Sequence, residues 1–187
     1  GTRGRYYSHA SRHGDREGLG SRTSDSRQLL HLQLVFAWRI CRETYAAEAL
    51  SGRGGLFTSG RWHTRGQRIV YASATLSLAA LELLVHVDKD ALPEDLVQIE
   101  IDVPDDLRTT RIDLPDLPKS WRSHPPPAAV QQIGDEWLAT KPTAVLLVPS
   151  AVIPTASNIL LNPLHPEVER IRIATTDRFG YDPRLLA

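Results

Sequence analysis

GRGGLFTSGRWHTRGQRIVYASATLSLAALE, residues Gly52–Glu82, is the stretch around which the chain is organised. Five of the twelve glycines fall within its first fifteen residues, and a short β-type run from Arg68 to Ala72 follows them. The stretch then enters an almost uncharged helical segment. Between Val70 and Val87 the only formal charge is Glu82. A carboxylate set in an apolar helix costs several kcal/mol to desolvate, so Glu82 is the first candidate for chemistry. The plain alternative is an ion pair, with His86 one helical turn later as its partner.

Working outward, Ser73 is placed to cap the helix, and Leu76, Ala79, Ala80, Leu83, Leu84 and Val87 follow helical spacing. Leu78, Leu81 and Val85 make the other side apolar as well, which predicts a buried central helix. Upstream, LQLVFAWRI reads as a strand from about Leu32 that ends at Arg39, and Thr44 to Leu50 as a short helix. Downstream, Val97, Ile99, Ile101 and Val103 alternate with polar residues, the pattern of a half-exposed strand closed by Pro104. A second strand is expected within Leu107–Asp113, a helix over Ala128–Ala139, and a buried strand in TAVLLVPS that delivers Ser150 at its end. Ile159–Leu161 and Val168–Ala174 supply further strands. Several strands with a few helices between them predict a single α+β domain over 32–187 with a mixed β-sheet core. Residues 1–31, rich in Gly, Ser and Arg and poor in apolar positions, read as a disordered leader.

Composition narrows the function. At 187 residues and 41% apolar, the chain is long enough for one sizeable core. Lys+Arg and Asp+Glu balance at 22 each, so no global positive field collects nucleic acid. The single cysteine, Cys41, rules out an intrachain disulfide, and the polar residues within Val70–Val87 argue against a membrane span. A soluble cytoplasmic protein without membrane association is the expectation.

Familiar motifs fail on inspection. Gly55 to Gly60 has phosphate-loop spacing, but Arg61 and Trp62 stand where that mechanism needs Lys and Ser/Thr. Phe57 breaks the dinucleotide fingerprint, VPSAV is not a nucleophile elbow, and the scattered histidines form no metal-ligand spacing. What remains is a set of polar residues at element ends: Arg39, Arg61, Tyr71, Glu82 and Ser150. Each has an ordinary alternative as a surface arginine, a packing tyrosine or a turn serine.

The blocks WRI (Trp38–Ile40), GGLFTSGRWHTRG (Gly54–Gly66), VYAS (Val70–Ser73), VPSAVIP (Val148–Pro154), NILLNPLHP (Asn158–Pro166) and YDPRLL (Tyr181–Leu186), with the helix bearing Glu82, closely resemble the RES domain family. The resemblance covers about Val35 to Leu186 with its blocks in order; His63 departs from it where asparagine is frequent, which leaves the role of His63 open. It implies a fold similar to ADP-ribosyltransferases and a toxin of a toxin-antitoxin pair that acts on NAD. It also implies an Xre-like antitoxin partner. Arg39, Tyr71, Glu82 and Ser150 carry over as active-site residues, with Arg61 a further one; Arg39, Arg61 and Tyr71 would bind NAD, and no metal is implied. The activity it implies is NAD degradation at the nicotinamide-ribose bond, with inorganic phosphate or water as acceptor. The alternatives are ADP-ribosyl transfer to a protein and a non-catalytic NAD-binding module.

These residue types suit that chemistry. Nicotinamide leaves a pyridinium as a neutral base, so one carboxylate suffices where ordinary glycosidases use two. Glu82 would stabilise the oxocarbenium-like transition state and hydrogen-bond the 2′-hydroxyl, kept ionised by nearby arginines. Arg39 and Arg61 would bind the pyrophosphate, Tyr71 would stack on nicotinamide, and Ser150 would orient the ribose or hold Glu82.

Overall fold

The computed structural model describes residues 36–87 and 92–186. The leader 1–31 and the start of the first strand near Leu32 lie outside the described residues. Seven strands form one sheet in the order β4-β5-β6-β2-β1-β3-β7. They are β1 (Phe36–Arg42), β2 (Val70–Ser73), β3 (Leu96–Asp102), β4 (Thr109–Arg111), β5 (Val145–Pro149), β6 (Ser157–Leu161) and β7 (Arg172–Arg178). Among the described residues the α-helices are α1 (Leu76–Leu84) and α2 (Ala128–Thr140). Only β4 and β5 run parallel, so the sheet is mixed and the α+β class holds.

The alternation seen in the sequence becomes the packing of the sheet. Val97, Ile99, Ile101 and Val103 are buried with Val145, Leu147, Ile159 and Leu161 in a core on one face. Leu146, Val148 and Leu160 point to the other face, where α2 packs Val130, Trp137 and Leu138 beside Trp62. β5 is therefore buried on both sides, which is why VLLVP shows no alternation. Gly134 of α2 rests directly on the Trp62 carbonyl; any Cβ there would overlap it. That close approach ties α2 to the glycine-rich loop.

Several expected boundaries move. β1 continues past Arg39 to Arg42, so Arg39 stands mid-strand opposite Ile99 rather than at a strand end. The run near Val168 is a 3-10 turn, Pro166–Arg170, and its strand begins at Arg172. The helix cap is Thr75, whose hydroxyl accepts the Leu78 amide; Ser73 belongs to β2. The expected all-round burial of α1 is also corrected. Only Leu78 and Ala79 are buried, while Leu81 and Val85 are 38% and 58% exposed. The helix packs Ala79 and Leu83 with Ile40 and Leu96, and Ala79, Glu82 and Leu83, with Val85 just past its end, line an open cleft.

That cleft follows from how β1 meets β2. β1 pairs with β3 along seven residues and β2 with β6 along four, but β1 and β2 register only at Trp38 and Ser73. Beyond that junction the two halves of the sheet part.

Candidate active site

The gap between β1 and β2 opens a cleft of about 1270 Å³, lined by Arg39, Arg61, Tyr71, Glu82 and Asn158 among others. It exceeds the roughly 300–1,000 Å³ of ordinary small-molecule sites, which leaves room for a dinucleotide. The same gap explains how Arg39 comes to be there. By register Arg39 shares a face with Ala37 and Cys41, on the side opposite Tyr71. It reaches the cleft because no ladder closes β1 onto β2 at its level. Its Nη1 donates to the Tyr71 carbonyl at 2.7 Å, a side chain bridging strands whose backbones have separated.

The residue as a whole is half-buried, yet its Nε is fully buried with no hydrogen-bond partner. An orphaned guanidinium donor is costly, and burial works against the Arg39 charge. An anionic ligand would relieve both. Arg61 is held from the opposite wall: its Nη1 donates to the Trp121 and Ser123 carbonyls at 2.5 and 3.1 Å. Burial disfavours its charge too, while Glu82 and Tyr71 favour it. Neither arginine has a carboxylate within ion-pair distance among the described residues.

Glu82 projects from α1 with one oxygen committed to the protein. Its Oε1 accepts from Ser150 Oγ at 2.7 Å and from Asn158 Nδ2 at 2.6 Å. These hydrogen-bond partners are neutral donors, Arg61 acts on Glu82 through its charge, and His86 is exposed and makes no hydrogen bond to it. Ser150 is completely buried behind Glu82, and its Oγ also accepts the amides of Val152 and Ile153 at 3.0 and 2.9 Å. Of the two roles expected for Ser150, this geometry fits holding Glu82.

Tyr71 is tied into the glycine-rich loop through a network whose protons can be assigned. His63 Nε2 faces the Thr58 carbonyl at 3.1 Å; a carbonyl only accepts, so Nε2 carries the proton. Nδ1 then accepts the Tyr71 hydroxyl proton at 2.8 Å, and the hydroxyl oxygen accepts the Trp62 amide at 3.1 Å. Burial pushes the Tyr71 hydroxyl well above its ordinary range and lowers the proton affinity of His63. Gly60 is needed here, because a Cβ would stand 2.5 Å from the Tyr71 hydroxyl. His63 therefore anchors the loop.

Asn158 and Ser73 went unrecognised as site residues in the sequence. Asn158 opens an apolar run and Ser73 closes one, positions indistinguishable from turn residues until β2 and β6 pair them. Among the described residues no helix is long and apolar enough to cross a membrane.

Comparison with known proteins agrees with this architecture. The chain is 39% identical over 153 residues to the "Prs ADP-ribosylating toxin" of Sphingobium sp. (strain YBL2), covering 80% of this chain and 95% of that protein. It is 39% identical to a "Toxin Res" of Yersinia enterocolitica, over 81% of this chain and 99% of the relative. The fold matches a chain of the M. tuberculosis MbcT-MbcA toxin-antitoxin complex with a TM-score of 0.64 at 15% identity, over 81% of this chain and 86% of that one. The RES domain model matches residues 36–182, and with the relatives above it establishes that the chain belongs to the RES domain family.

Proposed function

We propose that this protein is the toxin of a toxin-antitoxin pair and that it cleaves the nicotinamide-ribose bond of NAD. The observation that carries the reading is a pairing within one cleft: a buried arginine donor with no protein partner, and a carboxylate fixed through one oxygen with the other left to a ligand. Arg39, with Arg61 across the cleft, would neutralise the diphosphate. Glu82 would accept a hydrogen bond from the ribose 2′-hydroxyl and face C1′. As the C1′–N bond breaks, its electron pair returns to the pyridinium nitrogen, and nicotinamide leaves neutral without needing an acid. The acceptor oxygen then adds to C1′; water releases a proton to solvent as it does so, and a phosphate dianion needs to release none. Tyr71, its hydroxyl already engaged, offers its ring as a wall against the base.

Preorganised groups of this kind are worth about 10² to 10³ in rate, so Glu82→Ala is expected to abolish NAD turnover while the fold persists. Turnover at the wild-type rate in that variant would reject the role. Incubation with NAD, with and without inorganic phosphate, identifies the acceptor: phosphorylated ADP-ribose marks phosphorolysis, free ADP-ribose hydrolysis. NAD binding without nicotinamide release would instead indicate a non-catalytic module.

A second reading is ADP-ribosyl transfer to a protein, favoured by the printed name of the Sphingobium relative. Labelled NAD distinguishes it by a labelled protein band. An antitoxin partner, of the Xre-like type that the family resemblance implies, is supported by the cleft mouth. Tyr45, Phe57 and Val85 line it and are 62%, 68% and 58% exposed, an apolar rim suited to a covering segment. Loss of NAD cleavage on adding the protein of a neighbouring helix-turn-helix reading frame would test this.

A further inference from the structure

The fold treats the two carboxylate oxygens of Glu82 differently. Both of its hydrogen bonds fall on Oε1, from Ser150 and from Asn158. A carboxylate that shared its donors between both oxygens would have neither oxygen left over for a substrate hydroxyl. Here Ser150, just past the end of β5, and Asn158 of β6 both meet Oε1, and Oε2 of this cleft-lining residue has no protein hydrogen bond among the described residues.

The Asn158 amide is itself oriented. Ser73 Oγ donates to Asn158 Oδ1 at 2.8 Å, which compels Nδ2 to point at Glu82. A flipped amide would set its oxygen against a carboxylate and its nitrogen against a hydroxyl proton. Ser73 also occupies a special place in the sheet. It pairs with Asn158 on β6 and with Trp38 on β1, so it is the residue at which three strands meet. Immediately beyond that junction β1 and β2 part to form the cleft. The Ser73–Asn158–Glu82 chain therefore references the carboxylate to the vertex of the opening, where the sheet is fully paired.

We infer that Asn158, with its amide set by Ser73, is a positioning residue that dedicates Glu82 Oε1 to the protein and presents Oε2 to the ribose of the substrate. The inference rests on the NAD-cleaving reading for the identity of the substrate, but not for the anchoring itself. A polar pair at a sheet junction with no such role would affect stability alone.

The test separates these. In Asn158→Ala, kcat for nicotinamide release is expected to fall by about 10²-fold, as for comparable misplacement of a reacting group, with KM for NAD little changed. In Ser73→Ala, one neutral hydrogen bond is lost and kcat should fall roughly tenfold. Asn158→Asp supplies a readout that a structural role would not move. An ionised Asp repels Glu82, whereas a protonated Asp donates an O–H to Oε1, so its activity should recover as the pH falls and its optimum should lie on the acid side of wild type. Unchanged kcat in folded Asn158→Ala, or an Asn158→Asp profile parallel to wild type, would overturn the inference.

A measurement without turnover keeps the two claims apart. By NMR the Asn158 side-chain amide proton facing Glu82 should lie downfield in the wild type and return toward a free-amide position in Glu82→Ala. An amide at the free position in the wild type overturns the positioning role even if NAD is consumed. A downfield amide in a wild-type protein that releases no nicotinamide supports the anchored carboxylate and rejects the NAD-cleaving reading.

Discussion

Replacing Ser150 with alanine discriminates between a hydroxyl that acts on substrate and one that acts through Glu82. The substitution removes one of two donors to Glu82 Oε1 and strands the Val152 and Ile153 amides that donate to Oγ. A hydrogen bond to a charged group is worth about 1.5–3 kcal/mol, and a stranded buried polar group costs about 1–3 kcal/mol. Ser150 is completely buried, so solvent does not replace the lost contacts. Even the lower ends of those ranges place the cost near 3 kcal/mol. For a domain of this size each kcal/mol moves Tm by roughly 2–4 °C, so a fall of about 6–12 °C is expected. Asn158 still holds Oε1, so turnover should decline on the order of 10- to 10²-fold rather than to background. Differential scanning fluorimetry and nicotinamide release on the same preparation measure both. An unchanged Tm together with abolished turnover would refute the reasoning and return Ser150 to direct contact with substrate.

Further expectations rest on single contacts. Arg39→Lys keeps the charge but loses the planar fork that holds the Tyr71 carbonyl while offering Nε; kcat/KM for NAD should fall on the order of 10²-fold, seen in steady-state kinetics. Gly60→Ala drives a methyl into the Tyr71 hydroxyl and the His63 ring and should cost about 1–3 kcal/mol, read as a loss of Tm. Burial holds the folded-state proton affinity of His63 below its ordinary value of 6.5. Its contribution to stability is then complete above pH 6.5 and is lost as the pH falls through the folded value, because the unfolded chain binds the proton more readily. Tm should drop more steeply between pH 7 and pH 5 in wild type than in His63→Asn; parallel profiles would contradict the buried neutral imidazole.

What could be read in advance was what repeats along the chain or breaks its pattern. The alternation of Val97 to Val103 announced β3, the unbroken VLLVP announced a buried strand, and the isolated charge of Glu82 in an apolar helix singled out a residue that lines the cleft. Such signals are local, since they arise from periodicity and from the cost of burying one polar group. The partners of that carboxylate were not local. Ser150 and Asn158 lie 68 and 76 residues from Glu82, and only strand pairing brings them to one oxygen. Arg39 is the plainest case. Strand register sets it on the face away from Tyr71, and it reaches the site because β1 and β2 share a single register pair. That opening is a property of how the two halves of the sheet are joined, which no stretch of either strand encodes by itself.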